Sequence, residues 1–159
     1  MRRFEESELI LNQDGSVFHL HVKPEQLAHK VILVGDPGRV SLVASHFTDI
    51  EMEVQSREFH SITGKYQGKR ITVASTGIGC DNIDIVVNEL DALVNIDFAT
   101  RTEKAEKTSL EIVRIGTCGG LQEYTPVGTF IVSEKSIGFD GLLNFYAGRN
   151  DVCDLKLEE

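Results

Sequence analysis

The chain has 159 residues, with 16 Lys and Arg against 25 Asp and Glu, a formal net charge of −9, and is 41% apolar and 26% charged. At roughly 150 residues per domain this predicts one globular domain, residues 1–159, with enough apolar content for a real core. Net acidity without a Lys/Arg cluster argues against a nucleic-acid partner, and no apolar stretch approaches the roughly 20 residues of a membrane span.

Along the chain, Arg2-Arg3-Phe4-Glu5-Glu6 starts basic without an apolar run behind it, so no secretory signal is expected there. Val31-Ile32-Leu33-Val34 is a continuous apolar run ending in Gly35-Asp36-Pro37-Gly38, the pattern of a buried strand entering a turn. Val40, Val43, Ala44 and Phe47 then fall at i, i+3, i+4 and i+7, one face of a short helix. Alternation over residues 51–58 predicts a strand, and Thr63-Gly64-Lys65 predicts a hairpin turn after it. Residues 70–75 form a further strand feeding Thr76-Gly77-Ile78-Gly79. Ile83, Val86, Val87, Leu90, Leu93 and Val94 hold helical spacing over three turns, the best helix in the chain. Residues 100–109 are polar and aperiodic, a surface loop. Residues 110–115 return as a strand running into Gly116-Thr117-Cys118-Gly119-Gly120, and residues 128–133 give one more. Strands alternating with helices predict an α/β fold with a mixed central sheet flanked by helices.

Three cysteines, Cys80, Cys118 and Cys153, have no C-x-x-C spacing. A disulfide framework or thiolate zinc site is not expected, and a reducing cytoplasm is the default location. His19 and His21 lack a third ligand at metal spacing, so no metal site is predicted. Gly77-x-Gly79 would need glycine at position 82 for a dinucleotide fingerprint, and Asn82 stands there. Gly64-Lys65-Tyr66-Gln67-Gly68-Lys69 is one residue short between its glycines for a P-loop and lacks the following Ser or Thr.

Arginine beside glycine remains. Three Gly-rich turns, residues 35–38, 77–79 and 116–120, each follow a predicted strand. Any one needs no reason beyond a tight turn, but ligands of α/β sheets bind beyond the carboxyl ends of strands, so three together point to one site. Arg39 lies at the start of the first helix, and Arg114 is the one charged residue in the apolar segment 112–115. A buried guanidinium needs an anionic partner, and its planar fork suits a carboxylate or a phosphate. For Arg114 an ion pair with Glu58 or Glu111 and an anion site are both open on position alone. With Gly35 and Thr117 the two arginines read as an oxyanion cradle, completed by loop amides.

Val34-Gly35-Asp36-Pro37-Gly38-Arg39-Val40, Arg57-Glu58-Phe59, Ser75-Thr76-Gly77-Ile78-Gly79 and Arg114-Ile115-Gly116-Thr117-Cys118-Gly119-Gly120 resemble, in order, the motifs of the nucleoside phosphorylase family. Val17-Phe18-His19-Leu20 looks like that family's N-terminal histidine segment. The match runs from about residue 16 to 144, and Arg57-Glu58-Phe59 with Phe18-His19-Leu20 is most similar to the uridine-cleaving branch. The resemblance implies a pentosyltransferase of nucleoside metabolism and pyrimidine salvage. It would cleave the N-glycosidic bond of a nucleoside, uridine first, to free base and ribose 1-phosphate. Inorganic phosphate is the co-substrate and no cofactor is implied. Purine nucleoside phosphorylase, a hydrolytic nucleosidase and a non-catalytic oxyanion-binding fragment are the alternatives.

By the same resemblance Gly35, Arg39, Arg114 and Thr117 would bind phosphate, with Arg114 and Thr117 nearest the chemistry and Thr117 also touching the ribose. Arg57 would complete the phosphate site of a neighbouring subunit, while His19 reaches that neighbour's ribose 5′-hydroxyl and Phe18 covers the pocket. That implies a homo-oligomer with a dimer as its smallest competent unit and a hexamer as a larger form. Cys80-Asp81-Asn82 departs from the more usual Gly-Pro-Ser beside Glu58, so the interface cation of some bacterial relatives is not expected. The family's base-recognition Gln/Arg segment and ribose-gripping Met-Glu pair appear nowhere in the chain. It is therefore expected to be the N-terminal part of a larger catalytic domain, holding most of the phosphate site and lacking the nucleoside site.

Overall fold

The computed structural model describes residues 2–158, which divide after Thr117 into two compact units. The first carries β1 (Lys30–Val34), α1 (Pro37–Ala44), β2 (Thr48–Ser56), β3 (Phe59–Tyr66), β4 (Lys69–Ser75) and α2 (Cys80–Asn95). Two short strands, β5 (Ile96–Asp97) and β6 (Thr102–Glu103), precede β7 (Glu111–Ile115). The main sheet has the order β2-β3-β4-β1-β7. β1 runs parallel to both β4 and β7, whereas β2, β3 and β4 form an antiparallel meander. The sheet is mixed and helix-flanked, as the alternation of elements predicts.

β1 reads as an unbroken apolar run because both of its faces are covered. Val31 and Leu33 pack with Val86, Leu90 and Leu93 of α2 and with Val17, Leu20 and Val22 of the preceding segment. Val34, on the other face, packs with Val40 and Ala44 of α1 and with Ile62 and Val73. Each such side chain is worth about 1.5–3 kcal/mol when fully buried, so α1 is held to its face of the sheet by β3 and β4 as well as β1, and α2 to the other face. α1 starts where Asp36 accepts the Gly38 N–H at 2.8 Å, with Pro37 preset for the first turn. Phe47, expected on this helix, lies beyond its end but still packs against the same cluster.

Two expectations are corrected. Thr63-Gly64-Lys65 is no turn: β3 passes straight through it, and the turns fall at Arg57-Glu58 and Gln67-Gly68. Gly64 is a packing glycine, since a Cβ there would meet Ile50 Cδ1 at 3.0 Å and Phe47 Cβ at 3.2 Å. Gln67 and Gly68 have φ of 48° and 74°, the left-handed pair of a tight hairpin turn.

The second correction lies in the unit from Cys118 onward. Its described elements are a 3-10 turn (Leu142–Phe145) and two single-turn helices, α3 (Arg149–Val152) and α4 (Leu155–Glu158). The strand expected over 128–133 is absent, and Phe130 and Val132 are fully exposed there. β-Branched and aromatic residues favour a strand only where a ladder partner and a packed face exist. Among the described residues no helix is long and apolar enough to cross a membrane.

Candidate functional site

Parallel pairing brings three glycine loops to one edge of the sheet. Val34 stands opposite both Ser75 and Ile115, so Gly35, Thr76 and Gly116 leave the sheet side by side. The Thr76 N–H donates to Val34 O at 2.8 Å and extends the ladder one residue further. The Arg57-Glu58 turn joins the same edge because β3 is antiparallel to β4: Ser75 Oγ donates to Glu58 O at 2.7 Å and accepts the His60 N–H at 2.8 Å. Asn82 Nδ2 donates to Glu58 Oε1 at 3.1 Å and to Ile78 O at 3.0 Å. The Asn82 amide nitrogen therefore bridges those two oxygens.

Arg114 is the centre of this edge. Its strand position is opposite Leu33, yet the guanidinium extends past the strand end. A Cβ on Gly35 would lie 3.8 Å from Arg114 Nη2 and 3.8 Å from Gly77 O, and one on Gly116 would lie 2.6 Å from Arg114 Nη1. Glycine at 116 keeps open the space the guanidinium occupies, whereas at 35 an added Cβ would make only ordinary contact with it. The expected burial is not found: Arg114 is exposed, as is every residue of β7, because this edge strand has only β1 beside it among the described residues. The ion-pair alternatives are also absent. Glu111 pairs with Lys30 across the strands, Glu58 pairs with Asn82, and Arg114 makes no ion pair among the described residues.

Arg39 sits half-buried in the first turn of α1, which begins at this edge, and likewise has no carboxylate partner among the described residues. Thr117 is exposed in the loop after β7. Arg114 and Arg39, neither of them ion-paired with a carboxylate among the described residues, thus lie on elements that end or begin at this edge beside Gly35, where Asp36 caps the N-terminus of α1.

Phe18, His19 and Arg57 cluster at the Arg57-Glu58 turn. The Arg57 guanidinium lies 5.9 Å from the Phe18 ring centroid, and Phe18 meets the His19 ring edge-on at 4.9 Å. Arg57 is exposed and holds a φ of 55°, a left-handed backbone that a non-glycine residue rarely adopts. Behind this cluster stands Glu89, which the sequence reading missed. Its Oε1 lies 2.7 Å from His19 Nδ1, and its carboxylate accepts the backbone N–H groups of His19 and Leu20 at 2.9 and 2.8 Å. The available signal was a lone acid on the apolar stripe of α2, three residues after Val86 and four before Leu93.

A cavity of about 540 Å³ between α2 and β7, lined by Leu90, Val94, Lys107, Leu110 and Ile112 among others, holds none of the predicted site residues. Among the described residues no group of three or more His, Cys, Asp or Glu is placed to hold a metal. Outside the site, the Lys30 ammonium donates to Glu111 and holds its carboxyl below the usual glutamate range.

Residues 29–157 match the family described as the phosphorylase superfamily. A uridine phosphorylase of Thermococcus kodakarensis is 29% identical over 146 residues, which is 92% of this chain and 48% of the relative. A DeoD-type purine nucleoside phosphorylase of Alkaliphilus metalliredigens is 36% identical over 66% of this chain and 40% of its own length. Among solved structures, a Trypanosoma brucei nucleoside phosphorylase, described as showing uridine phosphorylase activity, superimposes with a TM-score of 0.69 at 36% identity. That match covers 74% of this chain and 41% of the other. The chain thus spans about half the length, or less, of these relatives.

Proposed function

The chain belongs to the phosphorylase superfamily, and from that premise we propose that it carries the phosphate site of a nucleoside phosphorylase acting on uridine. The observation that carries this reading is the guanidinium of Arg114 beside the open Gly35 backbone, with neither Glu58 nor Glu111 paired to it. Arg114, Arg39, the Gly35 N–H and Thr117 would hold inorganic phosphate beneath C1′ of the ribose. A phosphate oxygen then bonds to C1′ as the C1′–N bond breaks and its electron pair leaves with the base. The ribose passes through an oxocarbenium-like state, as in other glycosyl transfers. The bound phosphate is at once the nucleophile and the charge that stabilises the developing cation, so the protein's task is positioning and electrostatics.

In this reading Phe18, His19 and Arg57 serve the site of a second copy. They cluster with one another, and the motif resemblance that assigns them to a neighbouring subunit's pocket supports a dimer as the working unit. The relatives include uridine and purine phosphorylases alike, so inosine is the substrate to set against uridine. The enzyme in its full assembly is expected to release uracil from uridine only with inorganic phosphate, yielding ribose 1-phosphate. Phosphate-independent release would instead place it with hydrolytic nucleosidases, and preference for inosine would move it to the purine branch. The 159-residue chain alone is expected to bind phosphate without turning nucleoside over.

A further inference from the structure

We infer that Glu89 is a positioning residue that holds the His19 ring with its proton on Nδ1 and presents Nε2 as a hydrogen-bond acceptor for a sugar hydroxyl. The ligand half of this statement rests on the proposed function; the tautomer half does not.

Glu89 is 9% exposed on a helix face otherwise made by Val86, Leu90 and Leu93. A carboxylate in such a place is costly unless its oxygens are satisfied. Three N–H groups converge on it: the backbone of His19 at 2.9 and 3.2 Å, the backbone of Leu20 at 2.8 Å, and Nδ1 of the His19 ring at 2.7 Å. An ionised carboxylate only accepts, so Nδ1 must be the donor. A neutral imidazole has a single N–H, and its other nitrogen then carries a lone pair. Nε2 is therefore the acceptor, the reverse of the tautomer that a solvated imidazole prefers. Phe18 and Phe59 meet the ring edge-on at 4.9 and 6.1 Å, which restricts a flip of the ring. Because the same carboxylate grips the backbone of residues 19 and 20, the ring and the main chain that carries it are fixed together. That is how a second layer of hydrogen bonds orients a histidine.

A merely structural Glu89 would cap the two backbone amides and leave the tautomer to chance. Long-range 1H–15N correlation of the ring nitrogens in the 15N-labelled full chain separates the two roles, with His19 assigned by its loss in His19→Gln. At a pH where the ring is neutral, Nδ1 is expected at the protonated shift and Nε2 at the bare shift. A wild-type ring with its proton on Nε2, or a rapid mixture, overturns the inference whatever any variant does. Glu89→Gln offers one accepting oxygen and an NH2 group facing the ring, and is expected to move the proton to Nε2. A folded Glu89→Gln with the Nδ1 proton retained overturns it as well. Should that variant not fold, Glu89→Asp draws the carboxylate back by one methylene and is expected to give a tautomer mixture; an unchanged pure Nδ1–H ring sinks the idea. In the active assembly Glu89→Gln is expected to raise the nucleoside KM several-fold with the phosphate KM unchanged, and an equal rise in both overturns the positioning role. Absence of phosphorolysis in the wild type counts against the proposed function alone, because the ring nitrogens decide Glu89 independently.

Discussion

Arg114 crosses from its own strand to the neighbouring loop: its Nη2 would stand 3.8 Å from a Cβ on Gly35. The two residues are 79 positions apart, and parallel pairing of β1 with β7 is what makes them neighbours. Removing the guanidinium tests whether the pair is an anion site. Hydrogen bonds to charged groups are worth about 1.5–3 kcal/mol each, so Arg114→Ala is expected to weaken phosphate binding by about 10–100-fold or more. Calorimetric titration of inorganic phosphate measures it, and unchanged affinity would remove Arg114 from the cradle.

Gly116→Ala probes the same guanidinium from the other side. The added Cβ would sit 2.6 Å from Arg114 Nη1, which a flexible side chain escapes by moving its far end. Stability should therefore change little, while phosphate affinity falls because the fork is displaced. A variant with wild-type phosphate affinity would show that the guanidinium position is not critical.

Gly77→Ala should behave in the opposite way. Gly77 has a φ of 67°, and a Cβ there would meet Asn82 Nδ2 and Glu58 Cγ, both at 2.8 Å. A non-glycine residue in that region costs on the order of 1–3 kcal/mol, and the displaced Asn82–Glu58 hydrogen bond adds to it. Urea denaturation followed by circular dichroism should report a lowered midpoint, partly restored when Asn82→Ala is added to relieve one of the two contacts. A midpoint equal to wild type would mean that the loop relaxes freely.

Local patterns made β1, β4, α2 and β7 legible, since each carries its period in a few consecutive residues. The position of Gly64 was not, because a strand glycine required by the approach of Phe47 and Ile50 resembles a turn glycine in one dimension. The strand expected over 128–133 failed for the complementary reason: its pattern is sound, but a ladder depends on a partner that local sequence does not encode. Within the site, the glycine loops and arginines stand out as residue types. The environment of Arg114 does not, because apolar neighbours in sequence suggested burial while an edge strand leaves it open. Glu89 was hidden by the same logic, an acid that looks solvated until the backbone of residues 19 and 20 is placed against it.

The Lys30–Glu111 pair gives a pH prediction whose sign can be worked out. The two residues face each other across β1 and β7, and the Lys30 ammonium lowers the Glu111 pKa, first by hydrogen bonding and then by attraction. In the unfolded chain that carboxyl titrates at its ordinary value of about 4.3. Below that value the unfolded state has bound a proton that the folded state has not, so stability rises with pH through this window. The contribution is complete above the ordinary glutamate value and is lost as pH falls through the lowered one. Glu111→Gln should therefore flatten part of the acid limb of stability while leaving its shape near neutrality intact. The effect is small because the pair is exposed to solvent and screened by salt. Glu8, Asp14, Glu103 and Asp154 are lowered too, so the measurement is the difference between wild type and variant. Urea midpoints followed by circular dichroism at pH 7 and near pH 3.5 supply it. Parallel profiles would show that the pair does not couple β7 to β1.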